Sequence, residues 1–79
     1  MPTEIRESIK VMAVFDRDIR PVKFKWHGRV YPVKEITHRW SSRSGSVRSL
    51  HFAVSDGATL FDIAYNTVSM RWTLEGVDG

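Results

Sequence analysis

Hydrophobic and polar residues alternate along most of the chain, and a period of two predicts β-strands. The clearest example is segment 24–33, with the sequence FKWHGRVYPV, which predicts a hairpin turning at His27-Gly28. Gly28 supplies the positive φ that such a tight turn requires. In this register one face is apolar and the other carries lysines. The apolar face consists of Val22, Phe24, Trp26, Tyr31 and Val33. The opposite face carries Lys23, Lys25 and Lys34. Arg29 is predicted opposite Trp26, where its guanidinium can stack on the indole.

The alternation changes phase after this hairpin. Ile36, His38 and Trp40 keep a period of two but on the opposite parity. One extra residue near Lys34-Glu35, a β-bulge, would restore the face, and we therefore predict a long bulged strand. A short helical turn over 34–40 is the alternative, because helical spacing also fits these residues. Segment 41–46, SSRSGS, is small and polar, which predicts a mobile loop.

A second hairpin is predicted at Asp56-Gly57, a strong turn signal. A two-residue turn there sets Val54 opposite Thr59, Phe52 opposite Phe61 and Leu50 opposite Ile63. The last strand is predicted to pair with the preceding one through Tyr65–Met70, Ile63–Trp72 and Phe61–Leu74. Residues pointing inward in these three strands are all apolar, which indicates one continuous core face.

Segment 9–15, IKVMAVF, is apolar on both parities, which predicts a strand covered on both faces or covered by a second subunit. Residues 1–8 show no clean period and are predicted to be frayed or a short helical turn. The whole chain, 1–79, is expected to form one all-β domain, an antiparallel meander of five strands plus an N-terminal sixth. Because a flat sheet of this size cannot cover its own aromatic face, we expect a small, partly open SH3-like barrel or pairing with a second copy.

Composition narrows the functional classes. The 79 residues include no cysteine, which excludes a disulfide scaffold, a thiolate zinc site and a cysteine nucleophile. The sequence contains no run of about 18 apolar residues, so no membrane helix is predicted, and the start lacks an apolar signal segment. The expected location is therefore the cytoplasm, with no membrane partner, and no small-molecule substrate is indicated.

Charge is unevenly distributed along the chain. The net charge is +3, but segment 17–51 holds nine Lys or Arg residues against two acidic ones. Such asymmetry favours an anionic partner. The alternative is that the lysines only protect strand edges from pairing and keep the protein soluble.

Basic residues beside aromatic ones suggest a nucleic-acid site, because cations bind phosphates and rings stack on bases. The predicted nucleic-acid-binding residues are Lys23, Lys25, Arg29, Lys34, Arg39, Trp40 and Arg43. Most other aromatic residues fall on the predicted core face, so only Trp40 and His27 are expected as exposed rings. The alternative function is a homo-oligomeric or protein–protein interaction module, with self-association through Ile9–Phe15 or through exposed strand edges.

Catalytic chemistry is weakly indicated. The three histidines stand apart and match no metal-ligand spacing, and no glycine-rich phosphate loop occurs. The predicted register sets His51 opposite Asp62, which is typical of a cross-strand ion pair rather than of an acid–base site. We therefore expect no enzyme activity, no cofactor and no metal.

The segment from Pro21 to Asp78 resembles a family of small bacterial all-β domains of unknown function. The shared pattern comprises Pro21, Phe24, Trp26, Gly28, Arg29, Tyr31, Val33, Trp40, Trp72 and Leu74. The chain departs from it at 41–48, where similar domains often carry more aromatic residues. The resemblance implies a bacterial protein, and the association of some such domains with DNA-repair polymerase systems favours the nucleic-acid hypothesis. It implies no activity, cofactor or catalytic residue.

Overall fold

The protein folds as a single antiparallel sheet. The computed structural model describes residues 3–78; Met1 and Pro2, where the predicted frayed segment begins, and Gly79 lie outside the described residues. The strands are Thr3–Phe15 (β1), Ile19–Trp26 (β2), Arg29–Pro32 (β3), Glu35–Ser44 (β4), Val47–Ser55 (β5), Leu60–Asn66 (β6) and Arg71–Asp78 (β7). The all-β prediction is confirmed, with seven described strands instead of five or six. No helix able to cross a membrane occurs within residues 3–78.

The strand order makes the sheet fold over on itself. It is β3-β2-β1-β7-β6-β5-β4, so β3 and β4 form opposite edges. Only Val33 and Lys34 connect them, and a link this short spans at most about 11 Å between the flanking Cα atoms. The two edges must therefore approach each other at this corner. No β3–β4 pairing occurs among the described strands, so the sheet is not closed and the SH3-like barrel stays a prediction.

Strand β1 joins the two halves of the sheet. Its first part, Thr3–Ile9, pairs with β7, and its second part, from Lys10 to Phe15, pairs with β2. The prediction of a frayed start is therefore wrong for residues 3–8, which belong to a paired strand. A strand shared in this way connects two sheet halves that can face each other across a core.

The core lies between these two halves. Phe24 of β2 is 1% exposed, and its ring centroid lies 5.1 Å from that of Phe61 in β6. Tyr31 of β3 lies equally close to Phe61. Since β1 and β7 separate β2 from β6 within the sheet, these contacts require the concave face to close over itself. The buried apolar cluster consists of Ile9, Phe24, Phe52, Val54, Phe61, Ile63, Tyr65, Trp72 and Leu74.

The first hairpin has the predicted geometry. Trp26 lies opposite Arg29 and Phe24 opposite Tyr31. His27 and Gly28 have φ values of 51° and 75°, the left-handed pair of a type I′ turn.

Replacing Gly28 with alanine should lower the free energy of unfolding by about 1–2 kcal/mol, because a Cβ disfavours positive φ. A Cβ at Gly28 would meet no atom within 4 Å, so conformational strain is the only cause. Chemical denaturation measures the change. Gly28→Asn is the matched control and should cost less, since asparagine tolerates this region. Equal stability of the alanine variant and the wild type would contradict the assignment of strain to this turn.

The turn of the second hairpin is longer than predicted. Val54 pairs with Phe61 and Phe52 with Ile63, a shift of two residues from the predicted register. The cause is a four-residue turn in which Asp56 Oδ1 accepts hydrogen bonds from the backbone N–H groups of Ala58 (2.9 Å) and Thr59 (2.8 Å). A shift of two residues keeps every side chain on its face. The predicted core face therefore survives although the predicted pairs are wrong.

The turn before β7 repeats this arrangement. Asn66 Oδ1 accepts hydrogen bonds from the backbone N–H groups of Val68 and Ser69, both at 2.9 Å. Trp72 consequently pairs with Tyr65 rather than with Ile63. Met70, predicted to point inward, is 71% exposed at the end of this turn.

Four further expectations fail locally. Val22 is 38% exposed and Pro21 is buried instead, because the β1–β2 register shifts at this point. The bulge predicted at Lys34-Glu35 lies at Thr37, between paired Ile36 and His38. The mobile loop predicted over 41–46 is wrong for 41–44, which continue β4, and only Gly45-Ser46 turn. The helical alternative over 34–40 is also wrong, since β4 begins at Glu35.

Candidate nucleic-acid interface

The outer face of β1 and β2 carries a row of lysines, which we call the lysine face: Lys10, Lys23 and Lys25. Lys10 lies directly opposite Lys25 across the β1–β2 ladder. Residues placed in this way have Cβ atoms about 4.5–5.5 Å apart, and like charges there destabilise a sheet. The fold nevertheless places these two lysines directly opposite each other.

The strand pleat explains why these lysines point outward. Phe24 is buried, so its neighbours Lys23 and Lys25 point to the opposite face. Exposed apolar side chains separate the charges: Met12 lies opposite Lys23, and Val30 lies opposite Lys25. They are 57% and 54% exposed. The lysines and these residues line a shallow groove of about 210 Å³.

No carboxylate of residues 5–78 forms an ion pair with the lysine face. Lys23 and Lys25 were predicted as site residues, whereas Lys10 was missed. The β1–β2 register is what brings Lys10 to them, and that register includes a shift between Met12 and Ala13. A sequence pattern without this pairing gives no signal for Lys10.

Arg29 and the hairpin tip form a separate cluster. The guanidinium of Arg29 lies 5.4 Å from the ring centroid of Tyr31, so the predicted stack on Trp26 is wrong. Trp26 instead stacks with His27, at 4.5 Å between centroids. Its indole N–H donates to Glu7 Oε2 at 2.9 Å. A hydrogen bond from Trp26, and to a smaller extent one from His27, holds the pKa of Glu7 below its ordinary value. This carboxylate makes the tip less cationic than the sequence indicates.

Lys34 belongs to the link between β3 and β4. Its backbone N–H donates to the carbonyl oxygen of Ser55 at 2.8 Å. Its side chain lies over Gly57 and beside Asp56. The backbone N–H groups of Ala58 and Thr59 lower the pKa of Asp56, and the charge of Lys34 contributes less. Lys34 therefore contacts the β5–β6 turn and does not lie on the lysine face.

The two arginines predicted on β4 lie along its inner side. Arg39 Nη1 donates to Asp18 Oδ2 at 3.1 Å and to the carbonyl oxygen of Ile19 at 3.3 Å. Its guanidinium also lies 5.6 Å from the ring centroid of Phe52. Arg43 lies directly opposite Arg48 in the β4–β5 ladder. These side chains and the lysine face belong to different halves of the sheet.

Trp40 lies on the outer face of β4 between two histidines. Its ring centroid is 5.3 Å from that of His38 and 5.1 Å from that of His51. The planes of Trp40 and His51 differ by only 10°, so these rings are offset-stacked. The seven predicted residues thus occupy several places, and only Lys23 and Lys25 share the lysine face.

A serine, a histidine and an aspartate meet on this outer face. Ser42 Oγ and His51 Nε2 are 2.8 Å apart, and His51 Nδ1 lies 3.9 Å from Asp62 Oδ1. The last distance is longer than a hydrogen bond. His51 Nδ1 and Asp62 Oδ1 are both buried without a hydrogen-bond partner among the described residues. An imidazole that its carboxylate does not hold lacks the orientation of a catalytic triad. The cluster joins three neighbouring strands, β4, β5 and β6.

Asp62 should make stability depend on pH. Burial raises the pKa of Asp62, and this outweighs the lowering by the nearby His51 charge. Because the folded state holds the proton more tightly, this contribution to stability is present below the ordinary aspartate pKa and is lost as pH rises through the folded-state value. The stability of the Asp62→Asn variant relative to that of the wild type should therefore increase from pH 3 to pH 7. The gain should be less than about 1 kcal/mol, since the side chain is 39% exposed.

Denaturant unfolding at several pH values measures this difference. Asp16→Asn is the control, because it removes an exposed carboxylate from the turn between β1 and β2. A stability difference for Asp62→Asn that does not change with pH would contradict the assignment.

Comparisons with known proteins add no family. No family model, no curated protein and no solved structure matches the chain. The resemblance to small bacterial domains therefore stays a prediction. Among the side chains of residues 5–78, no three His, Asp or Glu groups converge on a common point as metal ligands would.

Proposed function

We propose that this protein is a nucleic-acid-associated binding module that contacts phosphates through the lysine face. The observation that carries the proposal is the direct opposition of Lys10 and Lys25. This placement is unfavourable in the free protein and becomes favourable when an anion lies between the two ammonium groups. A polyphosphate backbone supplies such anions at regular spacing.

The chemistry of the lysine face favours backbone contact over base recognition. Lysine binds phosphate as a point charge, and Met12 and Val30 offer apolar surface without an aromatic ring. Binding should therefore be insensitive to sequence and steeply dependent on salt. In this proposal the protein is an accessory module in the cytoplasm, without enzyme activity, and its folded-over sheet acts as an SH3-like barrel scaffold.

Fluorescence anisotropy with a labelled dT15 oligonucleotide and a 15-base-pair duplex tests the proposal. The dissociation constant should rise between 50 and 200 mM salt, with a logarithmic slope of about 0.7 per contacted phosphate for the single strand. No binding of either probe at 50 mM salt would overturn the proposal. Binding with no salt dependence would overturn it as well, because phosphate contacts require counterion release.

Self-association is the second candidate, favoured by apolar side chains that β1 leaves in solvent. Phe15 is 58% exposed, and Met12 and Val14 are exposed on the outer face. A second copy covering them would bury this surface. Analytical ultracentrifugation across a concentration series tests this, with Met12→Lys expected to shift the protein towards the monomer. A strict monomer at the highest concentration would exclude this candidate.

A further inference from the structure

The second half of strand β4 has a free backbone edge beside a cationic cleft. Among the described strands, β4 is the last of the sheet and pairs only with β5. Arg39 bonds the carbonyl oxygen of Ile19 at 3.3 Å, so the β2 end of the sheet comes close to the edge there. Residues 40–44 extend beyond this contact over about 16 Å. Their backbone groups on the open side are available to another strand.

The cleft lies along this edge. It has a volume of about 390 Å³; Ile19 and Leu50 line it together with Trp40, His51 and Phe52, and Arg48 and the Arg39–Asp18 ion pair supply its charges. Arg43 lies directly opposite Arg48. Neither guanidinium forms an ion pair with a carboxylate of residues 5–78. This is the second place in the sheet where like charges face each other without an acidic partner.

We propose that the 40–44 edge of β4 binds an extended acidic segment of a partner protein by strand addition. In this mode main-chain hydrogen bonds give affinity and alternate side chains enter pockets. A carboxylate beside Arg43 neutralises the Arg43–Arg48 pair. An apolar side chain two residues away reaches Leu50 and Ile19, because side chains two apart share a face. The ligand motif is therefore an acidic and an aliphatic residue separated by one position.

Charge and chemistry select this occupant over two others. A second copy of β4 carries Arg39 and Arg43 against one acidic residue, Glu35, so its charge does not complement the cleft. A nucleic acid would supply anions, but the rings at the cleft are already engaged: Arg39 covers Phe52, and Trp40 stacks with His38 and His51. Bases would find little to stack on. A peptide uses both the charges and the free backbone edge.

Binding of a capped, labelled heptapeptide, Thr-Glu-Thr-Val-Thr-Glu-Thr, tests this proposal. Replacing both glutamates by lysine should weaken binding at least about tenfold. Two N-methylated forms give the sharper control. In an added strand, alternate N–H groups face the protein, so methylating one alternate set should abolish binding and methylating the other should leave it.

Variants locate the site. Arg43→Glu should weaken peptide binding at least about tenfold and should not unfold the protein, because it creates an opposite-charge pair with Arg48. Lys10→Glu is the matched charge reversal on the lysine face and should leave peptide binding unchanged. Equal binding of the glutamate and lysine peptides, or equal effects of the two N-methylated forms, would overturn the proposal. Loss of dT15 binding instead of peptide binding in the Arg43→Glu variant would overturn it as well. So would sedimentation of the protein as a dimer that covers the free edge of β4. Failure of oligonucleotide binding at the lysine face would leave these outcomes unaffected.

Discussion

Phe24→Ala should lower the free energy of unfolding by about 3–5 kcal/mol, the usual cost of removing a buried phenylalanine ring. Phe24 is 1% exposed and packs against Tyr31 at 5.3 Å and Phe61 at 5.1 Å between ring centroids. These contacts join β2 and β3 to β6, so the cavity would open between the two halves of the sheet. For a domain of 79 residues the total stability is on the order of 4–12 kcal/mol. This single change therefore removes a large fraction of it.

Chemical denaturation monitored by tryptophan fluorescence measures this loss. Phe15→Ala is the matched control, because the same ring is removed from a side chain that is 58% exposed and contacts Tyr65 at its edge. It should cost about 1 kcal/mol or less. Similar losses for the two variants would contradict the assignment of Phe24 as the residue that joins the two halves.

Lys10→Glu should separate stability from function. The variant converts the Lys10–Lys25 opposition into an opposite-charge pair, which should stabilise the sheet by about 0.2–1 kcal/mol. The same change removes two phosphate contacts, because the introduced carboxylate repels phosphate and also engages the ammonium group of Lys25. The logarithmic salt slope for dT15 should fall by about 1.4, and affinity at 50 mM salt should fall by roughly 10- to 100-fold.

Anisotropy titrations and denaturation of the same preparations provide both measurements. Arg48→Glu is the control, since it reverses one charge on the inner side of β5, away from the lysine face. It should leave the dT15 salt slope unchanged. A stabilised Lys10→Glu protein with unaltered oligonucleotide binding would show that the opposed lysines serve no anion. That result would remove the observation on which the proposed function depends.

The two like-charge oppositions, Lys10–Lys25 and Arg43–Arg48, lie in different halves of the sheet. Lys10→Glu and Arg43→Glu thus serve as reciprocal controls: the first should weaken oligonucleotide binding and keep peptide binding, and the second should do the reverse. If each variant weakens the binding of only one of the two ligands, the protein is a module that connects a nucleic acid with a protein partner. Loss of both ligands in either variant would indicate a single anionic site or a disturbed fold.

The sequence predicts local features well where the signal is contained in a few neighbouring residues. The hairpin at His27-Gly28 is correct because the turn dipeptide and the apolar pairs around it agree. The core face of β5–β7 is correct even though the predicted pairs are shifted, because a slip of two residues preserves a period of two. The slip itself comes from side-chain hydrogen bonds by Asp56 and Asn66. The Asp56 bonds favour a four-residue turn over the predicted two-residue one, and the Asn66 bonds accompany a four-residue turn over 67–70, one residue later than predicted.

The candidate site was only partly predictable. Lys23 and Lys25 follow from the alternation around Phe24, but Lys10 joins them only through the β1–β2 register, which includes a shift at Met12. Arg39 and Arg43 are basic in the sequence, yet Asp18 pairs with one while the other faces Arg48. Ser42 and His51 meet because β4 and β5 form a longer hairpin than the polar segment 41–46 indicates.

The sequence alone predicted that this is an all-β protein, most of the residues of its core face, and where its first turn lies. These features depend on side-chain alternation and on backbone preferences within a few residues. The tertiary structure alone decided that β1 lies between β2 and β7, that the sheet edges meet through Val33-Lys34, and which cations face each other. Strand order and register depend on contacts between residues far apart in the chain, and a local pattern does not encode that pairing.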